Sequence, residues 1–332
     1  MGKIGLVVNP NSGKDIRRIT SHATTIGNME KVNIVRRILA GIYELSGHTV
    51  YSMPDQAGLS QYALNGMNQP GIAGRVILST LRTDGDARDT IRFVDYIVRE
   101  EQVDVVIVLG GDGTSRAAAK VIGDVPLIPV STGTNNVYPV FMEGTAVAAA
   151  AAAIADGVVK RDEIARGKRI EVEISDGQRD IALVDAVLSK KDYVGARAIV
   201  DESEISALFV SQAHPASIGF SALAGVIKTI SPEEDGGMYL ELDWEKKDYI
   251  AAVSAGVLTR FGVRAVRAIG EEELVLAPGY QGTVALDGER EMTLGEQDTL
   301  TLRITRHGPR KVAVKHVVEM AAARGYLHPG SR

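Results

Sequence analysis

The sequence predicts a two-domain protein, with a parallel α/β domain followed by an antiparallel β domain. The chain has 332 residues, whereas a single hydrophobic core stops growing at roughly 250–300 residues. Up to about residue 164, short apolar runs alternate with helical patterns, as in βαβ units. Beyond that point, strand-like runs are separated by Asp-Gly and Pro-Gly turn signals, which is typical of an antiparallel sheet.

Each predicted element of the first domain rests on a local pattern. Short apolar, β-branched runs predict strands at Ile4–Val8, His48–Ser52, Val76–Leu78, Val103–Leu109 and Pro126–Val130. Apolar residues at 3.6-residue spacing predict a helix from Asn33 to about Gly47, a second helix capped by Thr83 or Asp84, and further helices at Ala117–Ile122 and Thr145–Asp156.

The second domain is predicted to be built mainly from strands. The strand-like runs are Arg169–Ile174, Ile181–Leu188, Met238–Leu242, Tyr249–Val257, Leu274–Leu276, Thr283–Leu286 and Leu300–Ile304. Helical spacing returns at Val317–Leu327, which predicts a C-terminal helix.

Composition excludes several classes of protein. With 45% hydrophobic and 24% charged residues, the chain is predicted to fold rather than to be disordered. A net charge of −5 argues against a general nucleic-acid binder. The absence of cysteine excludes disulfides, thiolate catalysis and cysteine metal sites. No apolar run reaches the roughly 20 residues of a membrane span, and the chain enters a strand almost at once, so we expect a cytoplasmic protein without a membrane partner.

The sharpest local motif is Gly110-Gly111-Asp112-Gly113-Thr114, between an apolar strand and a helix. Glycines let the backbone approach an anion closely, and a helix N-terminus offers free N–H groups to a phosphate. An aspartate in such a loop repels a phosphate unless it holds a metal ion or accepts a proton. Asp112 is therefore a candidate catalytic and metal-binding residue. An ordinary strand-to-helix turn is the alternative.

Two further loops are predicted to end strands at the same edge of the sheet. Asn9–Lys14 (NPNSGK) follows the first strand and Ser131–Asn136 (STGTNN) follows the fifth. Ligands bind at this edge of open α/β sheets, although each loop alone could be a surface turn. The dinucleotide-binding and P-loop fingerprints are both absent, because neither the third glycine nor the Lys-Ser/Thr pair is present.

Together with Asp287-Gly288-Glu289, these loops resemble the motifs of the NAD kinase and diacylglycerol kinase superfamily in order and spacing. The chain looks closest to ATP-NAD kinase-like proteins of the acetoin-catabolism protein X group, particularly at Gly282–Glu291 (GTVALDGERE). The resemblance implies an NAD kinase-like α/β nucleotide-binding domain at 1–164 and a β-sandwich-like substrate domain at 165–306. It also implies that segment 307–332 packs back on the first domain.

The resemblance further implies a kinase that uses ATP and Mg²⁺ and forms a dimer or tetramer. The residues it implies for binding ATP are Asn9, Ser12, Lys14, Gly110, Gly111, Gly113, Thr114, Gly133, Thr134 and Asn135. Asp112 would orient or deprotonate the acceptor hydroxyl or hold Mg²⁺, and Glu289 would act near the acceptor. For Glu289 the alternative is a plain hairpin turn with Asp287-Gly288 at its tip.

The acceptor of the γ-phosphoryl group is expected to be NAD, giving NADP. Asn136, Asp185 and Ser217 are the candidate acceptor-binding residues. The last two lie where NAD kinases carry an Asn-Glu pair and a Thr-Pro-Thr-Gly-Ser stretch, and neither of those motifs is present here. Two other functions stay open: a kinase for a polyol, ketol or lipid acceptor, and a nucleotide-sensing accessory protein without efficient turnover.

Overall fold

The computed structural model describes residues 1–13, 26–133, 136–190, 202–277 and 279–328. Its strands are β1 (Lys3–Val8), β2 (Thr49–Ser52), β3 (Val76–Leu78), β4 (Val105–Gly110), β5 (Leu127–Ser131), β6 (Arg169–Ile174), β7 (Arg179–Ala182), β8 (Asp185–Ser189), β9 (Ile205–Val210), β10 (Gly237–Asp243), β11 (Tyr249–Ser254), β12 (Val257–Ile269), β13 (Leu274–Leu276), β14 (Gly282–Leu286), β15 (Glu289–Leu294) and β16 (Leu300–Thr305). The α-helices are α1 (Asn28–Leu45), α2 (Leu59–Asn65), α3 (Ala87–Arg99), α4 (Asp112–Ala119), α5 (Gly144–Ala155), α6 (Ser221–Gly225) and α7 (Val314–Ala323). Within these ranges no helix has both the length and the apolar character that crossing a bilayer requires.

Strands β1 to β5 form a parallel sheet in the order β3-β2-β1-β4-β5, which confirms the predicted α/β domain. Helices α1 and α5 cover one face, over a core that contains Ile38, Ile107 and Val147. Helices α3 and α4 cover the other face with residues such as Phe93 and Ala118. Because β1, β4 and β5 are neighbours, the loops that follow them start at the same edge of the sheet.

Strands β6 to β16 form two antiparallel sheets, which confirms the predicted antiparallel β domain. The larger has the order β11-β12-β10-β9-β8-β14-β15 and the smaller has the order β13-β16-β6-β7. Phe209 and Val284 of the larger sheet share one core with Ile170 and Leu302 of the smaller, so the two sheets pack face to face. Helix α6 covers the other face of the larger sheet, with Leu223 in its core.

The C-terminal segment returns to the first domain, as expected. Leu127 at the start of β5 exchanges main-chain hydrogen bonds with Arg310 (2.8 Å) and Val312 (2.9 Å), in parallel orientation. Helix α7 then packs against α5 and buries Val314 and Val317 in the core under the parallel sheet. The first domain is therefore completed by residues from the end of the chain.

Helices α1 and α7 begin earlier than predicted, at Asn28 and Val314 rather than at Asn33 and Val317, and helices α3 and α4 differ from the prediction in their first turn. Helix α4 begins at Asp112 rather than at Ala117, because the glycine loop itself forms the first helical turn. Helix α3 is capped by Asp86, whose carboxylate accepts a main-chain N–H of the first turn, and not by Thr83 or Asp84. In both cases the apolar spacing marks the buried face of the helix, whereas its polar first turn lies outside that pattern.

The predicted single strand Ile181–Leu188 is wrong, because the chain divides there between two sheets. Strand β7 ends at Ala182 and β8 begins at Asp185. In between, the main-chain N–H groups of Leu183 and Val184 donate to the carboxylate of Asp287 and are not available to a continuous ladder. The split was hidden in the sequence because the residues at the junction are as apolar as those of the strands.

Several elements have no counterpart in the sequence prediction: α2, α6, β9, β12 and β15. Strand β12 is the longest of the described strands, and most of its residues from Val263 to Ala268 are exposed. Arginines interrupt its apolar pattern, so neither a buried run nor a clean alternation marks it. The predicted strand Tyr249–Val257 ends at Ser254, where the chain turns into β12.

Candidate active site

Hydrogen bonds connect the three predicted loops at the carboxyl edge of the parallel sheet. The Asn9 side-chain amide donates to Thr114 Oγ1 at 2.8 Å, which links the first loop to the glycine loop. The hydroxyl oxygens of Ser12 and Thr132 are 2.7 Å apart, which links the first loop to the loop after β5. A Cβ on Gly13 would lie 3.0 Å from the Thr132 carbonyl oxygen, so these two loops also pack closely. The three loops therefore form one continuous surface.

A buried lysine supports the first loop from beneath. Lys31, near the start of α1, is fully buried. Its Nζ donates to the carbonyl oxygens of Asn9 and Ser12 at 2.9 Å and to that of Pro10 at 3.2 Å. The ammonium group thus fixes the main chain of the loop. Sequence analysis missed Lys31, although its position one turn before Val35, on the apolar face of the helix, is a detectable signal.

At two positions of the glycine loop, neighbouring atoms occupy the space that a side chain would need. A Cβ on Gly110 would lie 2.5 Å from the Cβ of Thr114, and a Cβ on Gly113 would lie 2.7 Å from Glu289 Oε1. The second contact places the Glu289 carboxylate at the first turn of α4. The N-cap residue, Gly111, satisfies none of the first helical N–H groups with a side chain. These groups and the helix dipole suit an anion such as phosphate.

Asp112 is anchored by the loop that follows β5. Its carboxylate accepts the main-chain N–H groups of Val137 at 3.1 Å and of Tyr138 at 2.8 Å. Burial and the neighbouring charge of Asp287 raise the pKa of Asp112 from 3.8 to about 7, and these hydrogen bonds and the Lys311 charge oppose the rise. A carboxylate with a pKa near 7 can accept a proton at neutral pH.

A lysine from the C-terminal segment lies beside Asp112. Lys311 is placed by the pairing of its segment with β5. Its Nζ lies 4.3 Å from the ring centroid of Tyr138, the residue whose N–H binds Asp112. Burial lowers the pKa of Lys311, while the carboxylates of Asp112 and Glu233 act in the opposite direction. Sequence analysis missed Lys311 because no local motif marks it.

The Asp287-Gly288 turn joins β14 to β15 and is also part of the site. Both residues have positive φ, +50° and +82°, as a two-residue Asp-Gly hairpin turn requires. The buried Asp287 carboxylate accepts the main-chain N–H groups of Leu183 and Val184 at 2.8 Å and of Asp185 at 3.2 Å. Burial raises the pKa of Asp287 and the nearby guanidinium of α4 opposes the rise. The hairpin tip is thus held against the start of β8.

An arginine of α4 connects the glycine loop to the second domain. Arg116 is 2% exposed. Its guanidinium nitrogens lie 3.2 Å from Asp180 Oδ2, 3.8 Å from Asp287 Oδ2 and 3.6 Å from Glu289 Oε2. Arg116 stands just before the helix that the sequence predicts at Ala117–Ile122 and received no role there, because its partners come from distant parts of the chain.

The predicted acceptor-binding residues lie at three different places. Asn136 lies between the loops, since its side-chain amide donates to Ser131 Oγ at 2.8 Å and a Cβ on Gly133 would meet its Nδ2 at 3.2 Å. Asp185 is buried, and its carbonyl oxygen accepts the main-chain N–H of Asp287 at the hairpin tip. Ser217 belongs to the loop between β9 and α6, where its N–H donates to the His214 carbonyl oxygen at 3.0 Å.

Not every predicted residue is brought into the site by an observed contact. Among the described residues, no hydrogen bond connects Ser217 to the three loops. Lys14, Thr134 and Asn135 lie outside the described residues.

Asp112 was also proposed as a metal ligand, and its surroundings limit that role. The described part of the chain contains no group of three or more His, Asp or Glu side chains that could hold a metal ion by themselves. Mg²⁺ at nucleotide sites keeps several water molecules and takes one or two carboxylates in addition to substrate phosphates. Asp112, at the start of α4, fits the role of such a single carboxylate and not that of a ligand in a dedicated metal cage.

Comparison with known proteins agrees with the division of the fold. The ATP-NAD kinase N-terminal domain matches residues 4–163, and the Acetoin catabolism protein X C-terminal domain matches residues 168–307. Acetoin catabolism protein X of Cupriavidus necator is 34% identical over 323 residues, which cover 94% of this chain and 90% of that protein. The chain belongs to the acetoin catabolism protein X family. Between the two matched regions, the parallel sheet gives way to the antiparallel sheets.

The fold of this family member is that of the NAD kinases. A structure of yeast NADH kinase complexed with NADH matches with a TM-score of 0.52 at 12% identity, covering 100% of this chain and 89% of that one. At this identity the match shows the fold alone. The family match and the fold match together identify the chain as NAD kinase-like, and they leave its substrate unassigned.

Proposed function

We propose that the chain is an ATP- and Mg²⁺-dependent kinase that transfers the γ-phosphoryl group to a hydroxyl of a small molecule, with NAD as the acceptor and NADP as the product. The observation that carries the proposal is that the first turn of α4 contains one carboxylate, that of Asp112, and is contacted at Gly113 by a second, that of Glu289. A glycine loop and a free helix N-terminus suit phosphate binding there, and a carboxylate suits proton transfer.

On the nucleotide side, main-chain and hydroxyl groups provide the phosphate contacts. We assign this role to the glycine loop, to Ser12, and to the N-terminus of α4, where the helix dipole favours anions. Asn9 keeps the first loop in contact with Thr114, and Lys31 fixes its main chain from beneath. Lys14, Gly133, Thr134 and Asn135 belong to the same proposed nucleotide site. Phosphoryl transfer depends mainly on such positioning and charge stabilisation.

On the acceptor side, Asp112 is the proposed general base. As the acceptor oxygen forms its bond to the γ-phosphorus, the bond from that phosphorus to the β–γ bridging oxygen breaks and ADP leaves. The proton of the acceptor hydroxyl passes to the Asp112 carboxylate, whose pKa of about 7 suits this transfer. When bound, Mg²⁺ supplies charge neutralisation on the phosphates. Glu289, Asn136 and Asp185 are proposed to contact the acceptor.

Other sequence-based expectations remain predictions. We propose domain boundaries at 1–164, 165–306 and 307–332, a homo-oligomer, a cytoplasmic location, and a small-molecule substrate as the functional partner. Ser217 stays a proposed acceptor contact.

One feature favours a second candidate function, a nucleotide-sensing accessory protein. The segment that stands in the place of the NAD kinase Asn-Glu pair, Leu183–Asp185, uses its main-chain N–H groups to hold Asp287. A site rebuilt in this way could retain nucleotide binding and lose acceptor turnover.

An acceptor panel distinguishes these functions. The protein is incubated with Mg²⁺-ATP and, separately, with NAD, NADH, acetoin or a short-chain diacylglycerol, and each mixture is analysed for ADP and for phosphorylated product by mass spectrometry. NADP formation over many turnovers supports the proposal. Turnover on another hydroxyl retains the kinase and replaces the acceptor. Tight ATP binding without product from any acceptor supports the accessory function instead.

A further inference from the structure

Arg116 contacts carboxylates of the second domain, whereas Lys31 donates to main-chain carbonyl oxygens of the first loop. Arg116 lies one turn after Asp112 on α4, yet the contacts described for its guanidinium are with carboxylates of the second domain or its hairpin. Asp180 belongs to β7, whereas Asp287 and Glu289 belong to the turn between β14 and β15 and its following strand. One side chain therefore joins the glycine-loop helix to two separate elements of the other domain.

The geometry of these contacts uses the particular shape of arginine. Nη1 approaches Asp180, Nε approaches Asp287 and Nη2 approaches Glu289, so three different nitrogens face three carboxylates. A lysine presents a single nitrogen and cannot reproduce this fork. The guanidinium is buried, and buried charges are tolerated only when they are paired and well oriented.

Glu289 is the contact with functional consequences. Glu289 Oε1 lies 2.7 Å from the position that a Cβ on Gly113 would occupy. The Glu289 side chain is 41% exposed, so it has room to move. Asp287 fixes the main chain of the turn, and Arg116 reaches both carboxylates. If Arg116 is shortened, the hairpin tip and the glycine loop lose a connection that sets their separation.

We propose that Arg116 is a positioning residue: by binding Asp180, Asp287 and Glu289 it holds the second domain against the glycine loop and keeps the Glu289 carboxylate over Gly113. This inference rests on the proposed function for its kinetic consequence. Its structural consequence is independent of turnover.

The chain offers a matched control for this role. Lys120 is the C-cap residue of α4, one turn after Arg116, and its Nζ is 2.8 Å from Asp180 Oδ2. The described contacts of Lys120 do not include Asp287 or Glu289. Lys120→Met therefore removes an ion pair between the same helix and the same strand, and leaves the hairpin untouched.

The test compares Arg116→Lys with Lys120→Met in the full-length protein. Arg116→Lys keeps a positive charge near the buried Asp287, so it is the variant expected to fold. Because a 1 Å misplacement can cost 10²-fold in rate, we expect kcat of Arg116→Lys to fall by on the order of 10²-fold. The KM for ATP should change by less than about threefold, because the described contacts of Arg116 are with the second domain. Lys120→Met should retain the wild-type kcat.

A double variant shows whether Arg116 acts through Glu289. If it does, adding Arg116→Lys to Glu289→Gln lowers kcat by less than about threefold beyond the loss of Glu289→Gln alone. Fully additive losses would contradict action through Glu289.

Hydrogen exchange provides a readout that needs no turnover. The amides of Leu183, Val184 and Asp185 donate to Asp287, so their exchange reports whether the hairpin tip stays in place. We expect faster exchange in Arg116→Lys and wild-type exchange in Lys120→Met. Wild-type kcat in Arg116→Lys, or equal losses of kcat in the two variants, would overturn the proposal. If the wild-type protein turns over no acceptor, the kinase function fails, and unchanged exchange in Arg116→Lys alone overturns the positioning role.

Discussion

The carboxylates of Asp112, which is half-buried, and of Asp287, which is buried, belong to one site and have different surroundings. Asp287 is compensated by Arg116 and by three main-chain N–H groups. Asp112 accepts two main-chain N–H groups, and its pKa is raised to about 7 by burial and by the Asp287 charge. The negative charge of Asp287 is thus balanced, whereas Asp112 can accept a proton. Active sites commonly contain two carboxylates whose surroundings separate their pKa values in this way.

Because the pKa of Asp112 is raised, we expect this residue to lower the free energy of unfolding by an amount that depends on pH. Its pKa is above the ordinary 3.8, so the folded protein binds more protons than the unfolded chain between about pH 4 and pH 7, and stability falls as the pH rises through this window. Asp112→Asn removes this cost. We expect its gain in unfolding free energy to be greater at pH 8 than at pH 5, by on the order of 1–3 kcal/mol.

Urea denaturation at the two pH values measures this difference, with the exposed Asp248→Asn as a control for the loss of one negative charge. Equal effects of Asp112→Asn at pH 5 and pH 8 would show that Asp112 is not held in an environment that disfavours its charge.

Residues recognised from the sequence and residues missed differ in how local their signal is. The Gly110–Thr114 loop was located because strand, glycines, aspartate and helix are adjacent in the chain. Lys31, Arg116 and Lys311 were not recognised, because each acts on groups that only the fold brings near. The Asp287-Gly288 turn lay between these cases: its hairpin geometry was predicted, but its carboxylate contacts were not.

At the scale of elements, the first turn of α4 packs closely against the β14–β15 hairpin. A Cβ on Gly113 would stand 2.7 Å from Glu289 Oε1, which is the mobile end of a side chain. Gly113→Ala should therefore displace the Glu289 carboxylate without disrupting the fold. We expect phosphoryl transfer to fall by about 10- to 100-fold, with the free energy of unfolding changed by less than about 1 kcal/mol.

Steady-state kinetics and thermal unfolding test this expectation. Gly74→Ala is the control, because a Cβ at Gly74 meets no atom within 4 Å and its φ is not positive. Retention of full activity in Gly113→Ala would mean that the position of Glu289 does not matter for transfer.

The elements also show where sequence patterns are insufficient. Strands β1, β4 and β5 were located because both their faces are buried and each is a short apolar run. The division between β7 and β8 was missed because Leu183 and Val184 are apolar although their main chain turns to Asp287. Strand β12 was missed because exposed arginines break its pattern. In each case tertiary contacts, and not local preference, decide the structure.

At the scale of the whole molecule, the first domain depends on the end of the chain. Val317 of α7 is buried in the same core as α1 and α5, and Lys311 reaches the site from the same segment. We expect Val317→Ala to lower the free energy of unfolding by about 2 kcal/mol, because it opens a cavity in a shared core. Urea denaturation measures this effect, with the exposed His316→Ala as the matched control. Equal stabilities of the two variants would show that α7 adds little to the first domain.

We propose that this chain transfers phosphoryl groups by means of Asp112. The most direct measurement is ADP release with Mg²⁺-ATP and NAD, for wild type and Asp112→Asn in parallel, with ATP affinity determined calorimetrically for both. We predict that wild type forms NADP, and that Asp112→Asn binds ATP with similar affinity while its turnover falls by about 10²- to 10⁴-fold, the usual contribution of a general base. Turnover of Asp112→Asn at the wild-type rate would contradict the claim.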